Sequence, residues 1–410
     1  MRQADADDGP EPRSTRVAAP DSPAPPAPGK GPGGLITIFR TARKNNEDVV
    51  PGNRPSTRTN ERIIVGHTKS EFEALHAALD ARARLRQWAE GAQVLDLLRA
   101  AAATGWLEAL TRPVTVEHLA GIDGISTERA RRVVEVFLAA GVVREAEAAA
   151  PAAFVLAEGF AALQAGPSGI RTDIALDAVG AAGDRVRSAL SSSIRYDWRE
   201  DALVVARDWG MLPSDASRAL FGMAYAEVPD YRDRLAAGGP LLDVGSGVGG
   251  ALLSTLTAYP ALRAVGVERA GDVVKELRER AEDAGVDSRL EIRHTDAQEL
   301  DDEAVYSVCY WAQAFFPQHT RETTLAAIRR ALAPGGLLLV QELAPPADDL
   351  CSFLDALVAD CRGVPPVVSA EDLAAELRTG GFTDVQVVPT PVGRLVLGRR
   401  GRGVPDQRRI

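Results

Sequence analysis

Cysteine, histidine and aromatic residues are scarce in this 410-residue chain: it has three cysteines and five histidines, and aromatics make up 5%. Cys309, Cys351 and Cys361 all fall in the last quarter and lack the paired spacing of a zinc site. Neither a disulfide framework nor a zinc finger is therefore expected. No apolar run approaches the roughly 20 residues a membrane helix needs, and the N-terminus has no signal-peptide apolar core. These absences exclude disulfide scaffolds and membrane-spanning proteins, so the expected setting is cytoplasmic, with no membrane partner. The length exceeds what one core usually serves, which predicts two or three structural units.

Positive charge is also short in the body of the chain. Nine Lys/Arg against seven Asp/Glu give residues 1–60 a net of +2, and five Arg against one Asp give residues 399–410 a net of +4. With a total of −10, the part between them carries −16. A surface that binds nucleic acid replaces counterions along the phosphates with Lys and Arg, and this body does the opposite. No nucleic-acid partner is expected, and the basic tip reads as a solvated end.

What is present is organised in blocks. The first 34 residues hold eight of the 26 prolines, so residues 1–60 read as a mostly disordered tail. Within it, Leu35, Ile36, Ile38 and Phe39 form a short apolar patch with the character of a docking strand. From Ser70, a candidate N-cap with Glu73 in capping-box position, apolar residues recur at helical spacing through Phe72, Leu75, Leu79, Leu85, Trp88, Leu95 and Leu98. A helix with so broad an apolar face suits packing against a second copy of itself. Two short helices at Thr115–Ala120 and Ser126–Ala140 and a ribbon at Val142–Val143 and Phe154–Leu156 then make a winged-helix pattern. Arg129, Arg131 and Arg132 lie on its second helix, but Glu145, Glu147 and Glu158 make the wing acidic, against a role on DNA. Residues 61–165 are thus expected to be a helical winged-helix unit.

From Leu241 onward strands alternate with helices, which predicts an α/β fold with a mostly parallel, doubly wound sheet and its ligand at the strand C-terminal ends. The last two strands, joined at Thr390–Pro391, are too close for a crossover and should form an antiparallel edge hairpin. The most informative stretch is Leu241-Leu242-Asp243-Val244-Gly245-Ser246-Gly247-Val248-Gly249-Gly250, an apolar strand running into a glycine-rich turn. Gly245, Gly247 and Gly250 loosely match a dinucleotide fingerprint, with Glu268 placed for a ribose hydroxyl. Asp243 at the strand end suits an ammonium group better than a pyrophosphate. His294-Thr295-Asp296-Ala297 adds a further acid after the third strand. The set favours a nucleoside with a cationic amino-acid arm.

These residues resemble the class I S-adenosylmethionine-dependent methyltransferases. The resemblance implies a seven-stranded Rossmann-like sheet with S-adenosyl-L-methionine as cofactor. It assigns Asp243, Gly245, Gly247 and Gly249 to the cofactor loop, Glu268 to the ribose hydroxyls, and Asp296 and Ala297 to the adenine, with Trp311 beside the cofactor. The order of long helix, winged helix, helical linker and sheet is similar to that of the dimeric small-molecule O-methyltransferases of natural-product pathways. Ala331–Glu342 matches their turn into the fifth strand. It implies a homodimer in which residues 61–165 are the dimerisation domain, residues 166–398 bind the cofactor, and a helical lid over residues 166–235 takes a small-molecule acceptor.

The resemblance fails at one point. Where that family places a general-base histidine, this chain has Ala314. The nearby Phe315-Phe316-Pro317 looks more like the keto-acid C-methyltransferases, yet the metal-binding pair of that group is replaced by Gln313 and Ala314, so no metal is expected. The remaining catalytic candidates are Gln313, able to hydrogen-bond an acceptor carbonyl or hydroxyl, His319, as base or as helix decoration, and Glu342 at the fifth strand's end. Trp311, Phe315 and Phe316 read as an acceptor wall or as core. Tyr196, Trp198, Trp209, Met211, Phe221, Met223, Tyr225 and Tyr231 concentrate aromatic and thioether side chains in the linker, which suits an aromatic or apolar acceptor. Three other functions stay open: cofactor-dependent chemistry without methyl transfer, such as decarboxylation or hydroxylation, ligand sensing by a winged-helix regulator, and NAD-dependent dehydrogenation.

Overall fold

A computed structural model of the chain describes residues 58–147, 151–166, 169–191, 197–343 and 348–402, with side chains from residue 70 onward. The expectations for the tail before residue 58, for Leu35 to Phe39, for Tyr196 and for the tip beyond residue 402 lie outside these residues. The chain divides into two units, one ending at Ala81 and the other beginning at Arg82. The described part of the first unit is helical and belongs to α1 (Arg58–Ala103). No proline interrupts this stretch, so nothing stops the backbone ladder at Ser70. That residue is exposed in mid-helix and is not the N-cap its spacing with Glu73 predicts.

In the second unit, the end of α1 brings Leu98 and Ala101 into a helical core. Trp106 of α2 (Trp106–Ala109), Leu119 of α3 (Val116–Asp123) and Phe137 of α4 (Thr127–Ala139) complete its centre. Both helices are capped by side chains: Thr115 accepts from the His118 amide and Ser126 from the Arg129 amide, each at 3.3 Å. A ribbon follows, with β1 (Val143–Glu145) antiparallel to β2 (Phe154–Leu156). Arg131 and Arg132 on α4 are both paired with Glu128, each at 3.0 Å.

Helices α5 (Glu158–Ala165), α6 (Thr172–Ser188), α7 (Ala202–Trp209), α8 (Asp215–Ala226) and α9 (Pro229–Ala236) lead to the sheet. Its strands are β3 (Leu241–Val244), β4 (Ala264–Glu268), β5 (Leu290–His294), β6 (Tyr306–Trp311), β7 (Leu332–Gln341), β8 (Phe382–Thr390) and β9 (Gly393–Arg400). Between them run α10 (Gly250–Ala258), α11 (Gly271–Asp283), α12 (Gln318–Ala331), α13 (Leu350–Cys361) and α14 (Ala370–Thr379). The strand order is β5-β4-β3-β6-β7-β9-β8. The first five strands are parallel, and β9 is antiparallel to both β7 and β8. The predicted α/β class and edge hairpin are both seen. Strand order reverses between β3 and β6, the crevice where open α/β sheets take ligands. No described helix is long and apolar enough to cross a membrane.

Two expected features of the end of the chain take a different form. The last strand continues through Arg399 and Arg400. Arg399 donates to the Gly335 carbonyl at 3.1 Å and Arg400 to that of Arg330 at 2.7 Å, so these two arginines are tied to the sheet. Glu342 is not an acceptor-site residue. It is buried, receives Nη2 and Nε of Arg394 at 2.6 and 2.8 Å, and accepts the Ala370 amide at the start of α14 at 2.9 Å. Its carboxylate stitches β7, β9 and α14 together, and Arg394 first of all holds its pKa below the usual glutamate value.

Removing one member of a buried pair costs about 3–5 kcal/mol, but Arg394 is a third exposed and water can take over part of its solvation. Glu342→Ala is expected to lower unfolding stability by about 2–3 kcal/mol in urea titrations. Because the folded-state pKa is depressed, the difference from wild type should hold above the unfolded glutamate pKa of 4.5 and shrink as pH falls below it. A variant as stable as the parent at neutral pH would refute the stitching role.

Candidate active site

Parallel register sets the site. Val244 at the end of β3 lies opposite Val267 of β4 and Trp311 of β6, and Glu268 of β4 lies opposite His294 of β5. Three carboxylates, Asp243, Glu268 and Asp296, therefore gather at neighbouring strand ends around one cavity of about 1270 Å³. This exceeds the roughly 300–1,000 Å³ of a single small-molecule pocket and leaves room for two ligands side by side.

The glycine loop needs its glycines. Gly245, Gly247 and Gly249 have φ of 77°, 53° and 88°, where a Cβ is strained. Space is lacking as well. A Cβ on Gly249 would sit 2.5 Å from Leu277 Cδ1, and one on Gly245 would sit 2.8 Å from the Phe316 ring. The backbone thus turns tightly over the strand end, with the Gly245 and Ser246 amides donating to the Val267 carbonyl at 2.9 and 3.1 Å.

Asp243 is buried, and no cation among the described residues is paired with it. Burial pushes its carboxyl up to about 7, opposed by the Ser246 hydroxyl and assisted by the nearby Glu268. A buried carboxylate in that state gains strongly from an ammonium group. Glu268 is raised by burial too, despite accepting the amides of Gly247, Arg269 and Ala270 at 3.1, 2.8 and 2.9 Å. A carboxylate has about four lone-pair sites, so one stays available for a ligand hydroxyl, and release of Gly247 frees another. Asp296 caps a short 3₁₀ turn: its Oδ1 accepts the Gln298 amide at 2.9 Å and the Gln298 side chain at 3.2 Å. Ala297 beside it is buried against the cavity. A hydroxyl-bearing nucleoside with a cationic amino-acid arm meets a matching donor or acceptor at each of these places, as S-adenosylmethionine requires.

Trp311 belongs to the core. Strand residues alternate between faces, so Tyr310 and not Trp311 lines the cavity. Trp311 is fully buried, with Phe316 edge-on at 5.6 Å and the Arg321 guanidinium 4.9 Å over its ring. Phe315 and Phe316 do line the cavity. Of the linker side chains, Trp198, Trp209, Met211, Phe221 and Tyr225 line it as well. Tyr231 is buried in the core on the other side, and Met223 is exposed.

The two remaining catalytic candidates are both on the cavity wall. His319 is exposed in the first turn of α12. Gln313 is buried in the turn after β6; its Nε2 donates to the Gln341 carbonyl at 3.1 Å, and its own carbonyl accepts from Arg321 at 2.6 Å. Its Oε1 has no hydrogen-bond partner among the described residues. Sequence reasoning missed Asp355 and Arg362, which reach the cavity from α13 and the turn after it. The signal was there: Leu350, Phe353, Leu354, Leu357 and Val358 keep helical spacing, and Asp349 caps the Ser352 amide at 2.8 Å.

Residues 241–336 match a protein-family model described as "Methyltransferase domain". No curated protein matches the chain in sequence. Among solved structures, mitomycin 7-O-methyltransferase is 21% identical, covering 80% of this chain and all of its own, with a TM-score of 0.60. Human N-acetylserotonin methyltransferase, solved with SAM, is 16% identical over 78% of this chain and 98% of its own, with a TM-score of 0.59. A methyltransferase of calicheamicin biosynthesis, solved with SAH, is 23% identical over 78% and 98%, with a TM-score of 0.52. At these identities the likeness is one of fold. Residues 241–336, which hold the glycine loop and the acids beyond it, thus match a methyltransferase domain, and the chain shares the fold of these methyltransferases.

Proposed function

We propose that this enzyme uses S-adenosylmethionine to methylate a small aromatic or apolar molecule in a secondary-metabolite pathway, and that it works as a homodimer. The observation that carries the reading is the buried Asp243, with no cation paired to it among the described residues, beside two further carboxylates at consecutive strand ends. Bound cofactor supplies an electrophilic methyl group on a sulfonium. The chain's own residues bind, orient and exclude water, which is the greater part of what in-line methyl transfer needs. Asp243 holds the amino-acid arm, Glu268 the ribose and Asp296 the adenine amino group. Met211, Leu220, Phe221, Phe315 and Phe316 wall the remaining space with apolar surface, which favours a flat or apolar acceptor. His319, on the same wall and open to water, is placed to take the proton that transfer releases. The structures of like fold include a mitomycin 7-O-methyltransferase and a methyltransferase in calicheamicin biosynthesis, and the shared fold supports the same class here.

The dimer reading draws support from α1. In the second unit, Leu85 and Trp88 are each 61% exposed, a large apolar pair on one helix face.

Binding of the ammonium group requires ionised Asp243. Affinity for S-adenosylhomocysteine, measured by calorimetry, is therefore expected to rise with pH up to about 7 and level off above it, with proton release at neutral pH. Asp243→Asn should weaken binding at least tenfold and flatten the pH profile. Unchanged affinity in that variant would remove the site assignment. Light scattering after gel filtration should give twice the chain mass of 43.5 kDa for wild type. Trp88→Asp with Leu85→Asp should give the single-chain mass, and a wild-type monomer would end the dimer reading.

A further inference from the structure

We infer that Gln313 selects the acceptor by its reacting group, which must carry a hydrogen: a neutral hydroxyl or an N–H, and not a carboxylate, ketone or ether. The inference rests on the methyltransferase reading of the site. One contact fixes the orientation of the Gln313 amide, and others hold its surroundings in place. The Gln341 carbonyl takes the Nε2 hydrogen at 3.1 Å, and the reversed amide would set two oxygens against each other there. Gln341 is itself held by a bond from its own Nε2 to the Val392 carbonyl at 2.9 Å. Arg321 grips the Gln313 carbonyl at 2.6 Å and is anchored on both oxygens of Glu376, at 2.8 and 2.6 Å. Backbone and side chain are thus both pinned.

What remains, besides the second Nε2 hydrogen, is Oε1, buried and without a partner among the described residues, on a side chain only 3% exposed in a residue of the cavity wall. An amide oxygen is an acceptor only. A ligand O–H or N–H satisfies it, whereas a carboxylate or carbonyl presents lone pairs to a lone pair. Sites that hydrogen-bond a substrate hydroxyl reject analogues lacking it far more strongly than apolar pockets reject a size change. Position makes the group held there the one that reacts. Gln313 follows β6 directly, next to β3, and Phe316 in the same turn packs on Gly245 of the cofactor loop.

In the step itself the acceptor oxygen or nitrogen forms its bond to the methyl carbon. The carbon–sulfur bond breaks with its electron pair going to sulfur, and the acceptor's proton passes to His319 and from there to water. The methylated hydroxyl has no hydrogen left for Oε1, so product binds less tightly than substrate at this position.

The test uses full-length protein and three probes of one ring size, naphthol, naphthoate and methoxynaphthalene, titrated calorimetrically with and without S-adenosylhomocysteine. Naphthol is expected to bind at least tenfold more tightly than the other two. Gln313→Met, which keeps the volume and removes the acceptor, should bring naphthol and methoxynaphthalene within about threefold of each other; its affinity for S-adenosylhomocysteine reports that it is folded. If it does not fold, Gln313→Leu takes its place, and the wild-type comparison stands alone in either case. Equal or tighter binding of naphthoate or methoxynaphthalene to wild type, no binding of any probe, or a preference that survives loss of the amide overturns the inference. Failure of S-adenosylhomocysteine to bind, with probe discrimination intact, overturns the cofactor reading instead.

Discussion

The ends of β3, β4 and β6 stop at one level because the parallel ladder pairs Val244 with Val267 on one side and with Trp311 on the other. Everything at the site hangs on that levelling. It lets a glycine loop from β3, a carboxylate from β4 and a glutamine turn from β6 face the same volume, although 21 residues of chain separate Gly247 from Glu268 and 70 separate Asp243 from Gln313. A sheet whose strand ends were staggered would leave Asp243 buried against hydrocarbon, and a carboxylate there would be neutral and idle.

Levelling also explains why polar groups at the cavity are held so firmly. Arg321 is almost wholly buried, yet its charge is matched by Glu376 and its flat face lies on Trp311. Such a guanidinium is rigid because every donor it turns inward has a fixed acceptor. The turn carrying Gln313 inherits that rigidity. Glu342 does the equivalent work one strand further out, joining β7, β9 and the start of α14. Elements that meet the ligand are thus backed by ion pairs that do not meet it.

Much of this is legible in the amino-acid sequence. The glycine loop and the three acids are local signals, each within a few residues of a strand end, so alternation and turn chemistry suffice to place them. The alternation of Tyr310 and Trp311 was readable in principle, but assigning a face needs to know which side of the sheet the cavity occupies. Glu342 was misread because its partner Arg394 is 52 residues away and meets it only through the antiparallel register of β9. Ser70 misled for the opposite reason: a correct local capping pattern lies inside a helix that nothing upstream had ended. The Gln313 side chain was recognised, but which end of its amide is free depends on the Gln341 carbonyl, a non-local contact.

The contact between Gly245 and the Phe316 ring joins two parts that a modular description keeps apart. The loop that would cradle the cofactor and the wall that would meet the acceptor share a van der Waals surface with no slack in it. Reshaping the wall around a bulkier guest therefore shifts the loop, and relaxing the loop tilts the wall. Anyone redesigning this pocket for a new guest has to treat donor and acceptor compartments as one mechanical part, with Phe316 as the hinge pin between them.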